Sequence, residues 1–563
     1  MKYYNIKGHL QTDFQKELDK LVNEKIVERI WEKDYTVWSD DPKEISDRLG
    51  WLDCNNFSRK NLEEIYYFVN QIKEEGFRDV LLLGMGGSSL APEVFSKVFG
   101  HQENYLNLFV LDSTHPDTIQ NFVDRLNPET TLYIVSTKSG GTIETISLMK
   151  FFYNYSLKIL GKEKVSQHFI AITDPNSGLE GTARSLNFRK IFLNDPNIGG
   201  RFSALSLFGL VPAALCGVDV EKLLVRTDNE ILHSRKSDDY IIRNIAAQFG
   251  VLISVLTKNG IDKLTLVTSN QFNSFGAWVE QLVAESTGKN GKGILPIDLE
   301  YLSDPVFYSK DRFFVIIKLK DDVLDSDKIN SIKEQGFPVI EFELEDKYDL
   351  GKQFFLWEFA TAVIGWSLNI QPFDQPNVEQ SKIVAKKILS DFQSSGKLNI
   401  SVPVYDFGGI KIYCDKKFNG LKEAITNLLS ECVSGKNYIA LQAYLNPTES
   451  LNEILQDIRK RFQIEFKVAT TLGYGPRFLH STGQLHKGDA GNGIFIQFID
   501  EPKNRLDVPD LPEKEHSCYS FNLVIKAQAF GDRQALIDNG RKVLTFDLNG
   551  NVEENLKIIL QSF

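Results

Sequence analysis

Short apolar runs alternate with helical segments along most of this chain, and this alternation constrains the fold more than any other feature. Between residues 80 and 195 the apolar runs read VLLLG, NLFVLD, TLYIVS, FIAITD and KIFLND. Strands that alternate with helices build a parallel sheet covered by helices on both faces. The sequence therefore predicts a doubly wound α/β module in this part of the chain.

The same alternation recurs twice. After two helices predicted over about 204–233 and 240–258, the runs LTLVTS, FFVIIKL and VIEFEL indicate a second module. Beyond SSGKLNISVP (394–403), interpreted as a linker, the predicted strands are YIALQAYL, FKVATTLG, GIFIQFID, FNLVIK (521–526) and VLTFDL. We predict an α/β protein divided into a helical segment 1–60, a first module 61–235, a second module 236–395 and a C-terminal α/β domain 396–563.

Composition and charge exclude several classes of function. The 563 residues carry a net charge of −11, which does not fit a nucleic-acid binder with a basic stripe. Five scattered cysteines show no metal-binding spacing, so we expect free thiols in a reducing cytoplasm and no metal site. The polar N-terminus and the lack of a long apolar run predict neither a signal peptide nor a membrane span.

Two loops that follow predicted strands have the chemistry of a phosphate site. The first contains Gly87 and Ser88, in the run GMGGSS, and the second is TKSGGT, with Thr137, Lys138, Ser139 and Thr142. Hydroxyls, one ammonium group and the free amides of a helix start are what a phosphate monoester needs. The alternatives are a tight turn for the first loop and a capped helix for the second.

Two further motifs carry charged residues. Arg201 follows two glycines in GGRFS, in a segment expected to open a long helix, and a surface arginine is the alternative. Glu285 lies in the last turn of an apolar helix that ends in AESTGK. The helix dipole there disfavours a negative charge, which suits a general base. A solvated glutamate is the alternative.

Two segments of the second half of the chain are less specific. Gln375 precedes a predicted helix in FDQPNVEQSK, and Lys382 lies within that helix, where a surface lysine is the alternative. His480 and His486 fall in the glycine-rich segment YGPRFLHSTGQLHKG. An imidazole suits acid–base chemistry near neutral pH, although an ordinary loop would also fit.

Taken in order, the segments GGSSLAP, STKSGGTIET, GGRFSALS, AESTGK and FDQPNVEQSK resemble the landmarks of the glucose-6-phosphate isomerase family, over about residues 78–390. The chain is also similar over nearly its full length to the isomerase half of transaldolase/glucose-6-phosphate isomerase fusions. The resemblance implies two sugar-isomerase (SIS) modules with parallel sheets. It implies no cofactor and a hexose 6-phosphate as substrate.

The resemblance also implies roles for individual residues. Ser88, Thr137, Ser139 and Thr142 match the phosphate-binding residues of the family. Glu285 matches the base that moves a proton between C1 and C2, and Arg201 matches the cation beside the enediolate. Lys382 matches the lysine at the ring oxygen, and Gln375 matches the glutamine seven residues before it. Glu144 matches a glutamate near the sugar hydroxyls and the family's histidine.

The histidine departs from the family pattern. In the family it lies between the glutamate base and the lysine, but residues 286–374 of this chain contain no histidine. The segment that starts at His480 can be aligned with the family's segment with one deletion, which places His480 at the catalytic position and leaves His486 as the alternative. Family members are dimers that take this histidine from the partner subunit. A histidine on the C-terminal domain would act in cis, so we expect a monomer or a homodimer.

These interpretations converge on the reversible isomerisation of glucose 6-phosphate and fructose 6-phosphate through a cis-enediol(ate). Two alternatives remain at this stage. One is a non-catalytic sugar-phosphate-binding regulator, and the other is an isomerase that also accepts mannose 6-phosphate.

Overall fold

Three sheets of five or six strands form the framework of the computed structural model, which also contains a small two-stranded sheet. The structure describes residues 1–397 and 400–562 apart from the side chains of 238–240. Leu398 and Asn399, within the segment interpreted as a linker, lie outside the described residues. The predicted α/β class with parallel sheets is confirmed. Along the described parts of the chain, no helix is both long and apolar enough to cross a membrane.

The N-terminal segment is mostly helical, as predicted, but it also contributes one strand. Its elements are β1 (Lys2–Tyr4), α1 (His9–Asn23), α2 (Ile26–Trp31) and α3 (Cys54–Lys60). The apolar residues of this segment pack into one core with both modules. Trp51 lies with its ring centroid 5.4 Å from that of Phe202 and 5.7 Å from that of Phe355.

The first module contains a five-stranded sheet in the order β3-β2-β4-β5-β6, with every neighbouring pair parallel. The elements are α4 (Leu62–Glu74), β2 (Asp79–Gly84), α5 (Leu90–Phe99), β3 (Asn107–Leu111), α6 (Pro116–Arg125), β4 (Thr131–Ser136), α7 (Ile143–Leu160), β5 (Phe169–Thr173), α8 (Gly178–Ser185), β6 (Lys190–Leu193), α9 (Leu207–Leu215) and α10 (Val220–Ser234). The single helix predicted over about 204–233 is wrong. It is divided into α9 and α10 by Gly217, whose φ of 90° no right-handed helix can include.

The second module has a sheet in the order β1-β10-β9-β7-β8, in which only the N-terminal β1 runs antiparallel to its neighbour. The elements are α11 (Ile245–Lys258), β7 (Lys263–Thr268), α12 (Phe275–Thr287), β8 (Leu295–Ile297), β9 (Arg312–Leu319), α13 (Ser326–Glu334), β10 (Val339–Leu344), α14 (Leu350–Leu368) and α15 (Val378–Ser395). The predicted strands of this module are present. The boundaries given to the modules stay predictions.

The C-terminal region forms a six-stranded sheet in the order β11-β12-β18-β15-β13-β14, in which β12 runs antiparallel to both of its neighbours and the other neighbouring pairs are parallel. The elements are β11 (Tyr405–Phe407), β12 (Ile410–Tyr413), α16 (Leu421–Leu429), β13 (Tyr438–Tyr444), α17 (Glu449–Phe466), β14 (Ala469–Tyr474), α18 (Gly483–Gly488), β15 (Gly493–Asp500), β16 (Asp507–Val508), β17 (Tyr519–Ser520), α19 (Phe521–Asp538), β18 (Lys542–Leu548) and α20 (Val552–Gln561).

One predicted strand of this region is wrong. The run FNLVIK begins α19, and the Ser520 side chain caps that helix by accepting from the Leu523 amide at 3.4 Å. The helix is buried on nearly all sides, so its apolar residues follow one another without a helical period. A short apolar run does not by itself distinguish a buried strand from a buried helix.

A buried ion pair fastens the C-terminal domain to the second module. Nη1 and Nη2 of Arg312 lie 2.5 and 3.1 Å from the two carboxylate oxygens of Glu300, and both side chains are almost inaccessible to solvent. Across the interface, the Thr470 amide and hydroxyl donate to Glu300 at 3.0 and 2.8 Å. Glu300 is therefore the acceptor on which this part of the interface depends.

We expect Glu300→Ala to lower the free energy of unfolding by about 3–5 kcal/mol, because it leaves the Arg312 charge buried and unpaired. Adding Arg312→Met should recover part of this loss, since the second change removes the isolated charge. Chemical denaturation of the two variants and the wild type measures both effects. A double variant no more stable than Glu300→Ala alone would contradict the explanation.

Candidate active site

A cavity of about 210 Å³ lies at the carboxyl ends of β2 and β4, where parallel α/β sheets commonly bind ligands. The structure brings together at this cavity every site residue predicted from the sequence except Glu144 and His486. The lining residues among them are Gly87, Ser88, Thr137, Lys138, Ser139, Thr142, Arg201, Glu285, Gln375, Lys382 and His480. A second cavity of about 290 Å³ adjoins it and includes Glu144.

The loop between β4 and α7 forms one wall of the cavity. Thr142 is the N-cap residue of α7, and its side chain makes no capping hydrogen bond, so the first amides of the helix remain available to a ligand. The hydroxyls of Thr137 and Thr142 lie 3.2 Å apart. Gly140 has a φ of 72°, and a Cβ atom there would lie 2.2 Å from the Leu179 nitrogen. The loop conformation therefore requires glycine at this position.

Lys138 differs from the expectation for a phosphate-binding lysine. Its ammonium group forms an ion pair with Asp174 and donates to the Pro196 carbonyl at 2.7 Å. The positive charge is thus already matched by a carboxylate. A role for Lys138 in binding phosphate stays a prediction.

Arg201 reaches the cavity through a close contact between two loops. A Cβ atom on Gly87 would lie 2.0 Å from the Gly200 carbonyl oxygen, so the backbones meet directly. Arg201 lies in a 3-10 turn, Gly200–Phe202, and not at the start of a long helix, which corrects the prediction. The helix α9 begins only at Leu207, after the Ser206 side chain caps it by accepting from the Phe208 amide at 3.3 Å.

Arg201 and Glu285 form an ion pair that is almost closed to solvent. Nη1 of Arg201 lies 3.3 Å from Oε1 of Glu285, and the two side chains are 4 % and 13 % exposed. The guanidinium also donates to Ser286 Oγ at 2.7 Å and to Gln375 Oε1 at 3.0 Å. Burial lowers the pKa of Arg201, whereas the charges of Glu285 and Asp374 oppose that shift. The carboxylate is therefore held beside a fixed cation.

Gln281 is a lining residue that the sequence analysis missed. It lies one helical turn before Glu285 on α12, and its Nε2 atom donates to Glu285 Oε2 at 3.1 Å. The same atom lies 2.7 Å from the His480 carbonyl oxygen. The i, i+4 spacing was the available signal, because residues at that spacing share one face of a helix.

His480 and Glu144 meet although they are far apart in the chain. Nε2 of His480 lies 3.1 Å from Oε1 of Glu144, and Gln528 donates to the same oxygen at 2.7 Å. Burial alone would raise the pKa of Glu144, but the charge and hydrogen bond of His480 outweigh burial and leave this pKa below its usual value. An ionised Glu144 fixes the orientation of the imidazole.

His486 lies elsewhere. It is buried on α18, with its ring centroid 5.0 Å from that of Phe495, and it does not line the cavity. Burial, with the charges of Lys487 and Arg541, holds the pKa of His486 well below its usual value. Its environment is that of a neutral core histidine. The catalytic role given to either histidine stays a prediction.

Lys382 and Gln375 flank the start of α15. Lys382 is the fifth residue of that helix, is 40 % exposed, and lies 3.4 Å from Glu379.

Lys289, which the sequence analysis did not single out, is buried nearby and donates to Asp374 Oδ1 at 2.6 Å. Burial, followed by the charge of Arg201, lowers the pKa of Lys289 to about 7.

One group of described residues has the side chains of a metal site, although the sequence analysis expected none. Asp510, His516 and Cys518 lie together in an exposed loop outside the cavity. Asp510 accepts hydrogen bonds from the other two side chains and from the Cys518 amide at 3.0 Å. These bonds explain the cluster without an ion.

The cavity combines two kinds of chemistry. One wall offers hydroxyls and helix amides to an anion, and the other offers a carboxylate beside a guanidinium. A carboxylate can move a proton between adjacent carbons, and a fixed cation stabilises the oxyanion that forms. The arrangement suits aldose–ketose isomerisation of a phosphorylated sugar.

A family model described as phosphoglucose isomerase matches residues 70–307 of this chain. Over this range the chain is similar to the phosphoglucose isomerase family. The matched range includes Arg201 and Glu285 but ends before Gln375, Lys382 and His480.

Curated relatives match a longer part of the chain. A glucose-6-phosphate isomerase from Campylobacter jejuni is 27% identical over 61% of this chain and 92% of its own length. One from Mycoplasmopsis pulmonis is 29% identical over 61% of this chain and 90% of its own length. A probable glucose-6-phosphate isomerase from Methanococcus maripaludis is 28% identical over 62% of this chain and 86% of its own length.

Two solved structures share the fold. A hypothetical protein from Thermus thermophilus superposes with a TM-score of 0.57 at 22% identity, covering 67% of this chain and 97% of its own. A glucose-6-phosphate isomerase from Chlamydia trachomatis superposes with a TM-score of 0.58 at 17% identity, covering 68% of this chain and 86% of its own. At these identities the likeness shows the fold alone.

The contact between Gly87 and Gly200 generates a prediction. We expect Gly87→Ala to lower the free energy of unfolding by about 1–3 kcal/mol, because the added methyl group forces the two loops apart. Gly181→Ala is the matched control, since a Cβ atom at that helical position meets nothing within 4 Å. Chemical denaturation compares the two. Equal stability of both variants would contradict the close approach.

Proposed function

We propose that this protein interconverts glucose 6-phosphate and fructose 6-phosphate. The observation that carries the proposal is the ion pair of Arg201 and Glu285 in the same cavity as the hydroxyl-rich loop of residues 137–142. A hexose 6-phosphate has its phosphate at one end and its reacting carbons at the other. The two walls of the cavity match those two ends.

In the proposed reaction, His480 and Lys382 open the sugar ring by transferring protons to the ring oxygen and from the C1 hydroxyl. Glu285 then removes the proton from C2 of the open-chain aldehyde, and the electron pair of the C–H bond forms the double bond of a cis-enediol(ate). The O2 hydroxyl loses its proton and O1 gains one, and the proton returns from Glu285 to C1, so that C2 becomes the carbonyl carbon of the ketose. Arg201 stabilises the negative charge on the oxygen while the enediolate exists.

The phosphate serves as the anchor in this proposal. Ser88, Thr137, Ser139 and Thr142 bind it together with the amides at the start of α7. Binding energy at the phosphate then helps to align carbons that carry little charge of their own.

The same proposal includes a cytoplasmic location, which the unpaired state of all five cysteines supports.

The alternatives are less well supported. A non-catalytic sugar-phosphate sensor has no need of a buried cation beside a carboxylate at the far end of the cavity. Activity on mannose 6-phosphate stays a hypothesis, which a coupled assay with that sugar tests directly.

We expect Glu285→Gln to lower kcat by about 10²–10⁴-fold, because an amide cannot accept the C2 proton. Substrate binding should remain, since the phosphate contacts are untouched. A coupled assay with fructose 6-phosphate measures the rate, and calorimetry measures binding. Glu280→Gln, on the same helix but lining a different cavity, is the matched control. A loss of tenfold or less in Glu285→Gln would rule out this base.

The position of His480 generates a second prediction. Since His480 contacts Glu144 of the same chain, we expect the histidine to act in cis. His480→Ala and Glu285→Gln should each have strongly reduced activity, and a mixture of the two should be no more active than the separate variants. If the histidine came from a partner subunit, mixed dimers would contain one intact site. Recovery of activity on mixing would therefore contradict action in cis.

A further inference from the structure

Gln484 is a fully buried side chain of the C-terminal domain that lies between two helices of the second module. Its Oε1 atom accepts from the backbone amides of Asn377 at 2.9 Å and Val378 at 3.3 Å. Its Nε2 atom donates to the Gly288 carbonyl at 2.9 Å and to Asn377 Oδ1 at 2.7 Å. Both donor hydrogens and both acceptor lone pairs of the amide are therefore used.

The two amides that Gln484 accepts are at the start of α15. A helix leaves its first amides without partners, and an asparagine at the N-cap position usually supplies an acceptor from its own side chain. Asn377 occupies the N-cap position but makes no such bond. Gln484 satisfies the amides of this N-cap residue and of the first helical residue, Val378, across a domain boundary. This helix carries Lys382 in its second turn.

The carbonyl to which Gln484 donates lies at the other helix end. Gly288 is the C-cap of α12, three residues after Glu285, and its carbonyl belongs to the set that a helix leaves unpaired. The backbones also touch here. A Cβ atom on Gly288 would lie 2.3 Å from the Leu485 Cα atom, and one on Gly488 would lie 2.1 Å from the Gly288 oxygen.

We propose that Gln484 is a positioning residue, through which the docked C-terminal domain aligns the helices that carry Glu285 and Lys382. The inference rests on the proposed isomerase function. Gln484 does not line the cavity and contacts no reacting group. It acts by fixing the end of one helix against the start of the other, so that the base and the lysine face one substrate.

The position of the loop of residues 137–142 predicts that loss of Gln484 affects kcat and KM differently. Residues 137–142 belong to the first module, and the four hydrogen bonds of Gln484 all go to the second. Loss of Gln484 should therefore lower kcat while leaving the phosphate anchor, and with it KM, nearly unchanged. A side chain that contributed only to stability would not separate the two constants in this way.

The test is Gln484→Met, which keeps the size of the side chain and removes all four hydrogen bonds. We expect kcat to fall by about 10- to 100-fold, because small misplacements of catalytic groups have effects of this size. KM should change by less than about threefold. The matched control is Gln463→Met. Gln463 is also fully buried in the C-terminal domain and bonds to Ser303 of the second module at 3.0 Å, away from the cavity.

A second variant separates hydrogen bonding from packing. In Gln484→Glu, an ionised carboxylate still accepts from the two amides but cannot donate to the Gly288 carbonyl, whereas the protonated acid can do both. The ratio of its kcat to that of the wild type should rise as the pH is lowered from about 8 to about 6, since burial favours the neutral acid. If Gln484→Met does not fold, the pH dependence of kcat in Gln484→Glu tests the positioning role instead.

The outcomes are distinct. If the wild type isomerises neither glucose 6-phosphate nor fructose 6-phosphate, the proposed function is wrong. The positioning role, which rests on that function, is then wrong with it. If the wild type is active and Gln484→Met keeps kcat within about threefold, or loses no more than Gln463→Met, the positioning role is wrong. A ratio for Gln484→Glu that is constant across the pH range would also overturn it.

Discussion

The contact between the backbone of Gly288 and the short helix α18 is the constraint on which the candidate site depends. There the C-terminal domain meets the end of the helix that carries Glu285, with no room for a side chain at Gly288 or Gly488. The segment that precedes α18 carries His480 into the cavity. One docking event therefore sets the position of the imidazole and of the carboxylate together.

Charges in the cavity are arranged so that few stand alone. Arg201 and Lys289 are both buried cations, and both hold the loop before α15: Arg201 donates to the Asp374 carbonyl at 2.9 Å, and Lys289 pairs with the Asp374 carboxylate. Burial, and to a smaller extent the charge of Arg201, lowers the pKa of Lys289 to about 7, while the charges of Asp374 and Glu285 oppose that shift.

The sequence predicts those parts of the molecule that depend on neighbours in the chain. The loop of residues 137–142 follows a strand and precedes a helix, as its pattern indicates, and Glu285 lies in the last turn of its helix. Long-range pairs could not be predicted. The pairing of Lys138 with Asp174 is one example, and the contact between His480 and Glu144, 336 residues apart, is another. The helix that begins at Phe521 was predicted to be a strand, because its burial on nearly all sides removes the helical period from the sequence.

The C-terminal domain is held against the first module by polar and charged contacts that differ from those of an apolar core. His115 is fully buried 3.0 Å from Asp500, and Arg477 forms ion pairs with Glu93 and Asp112. Buried pairs of this kind add little net stability, but they penalise any arrangement that leaves one partner alone. These pairs therefore select one docked position of the C-terminal domain, although they add little to the stability of that position. His480 must lie within hydrogen-bonding distance of Glu144, so its domain must dock in one position. Because the domain belongs to the same chain, it docks without the entropy lost when two separate chains associate.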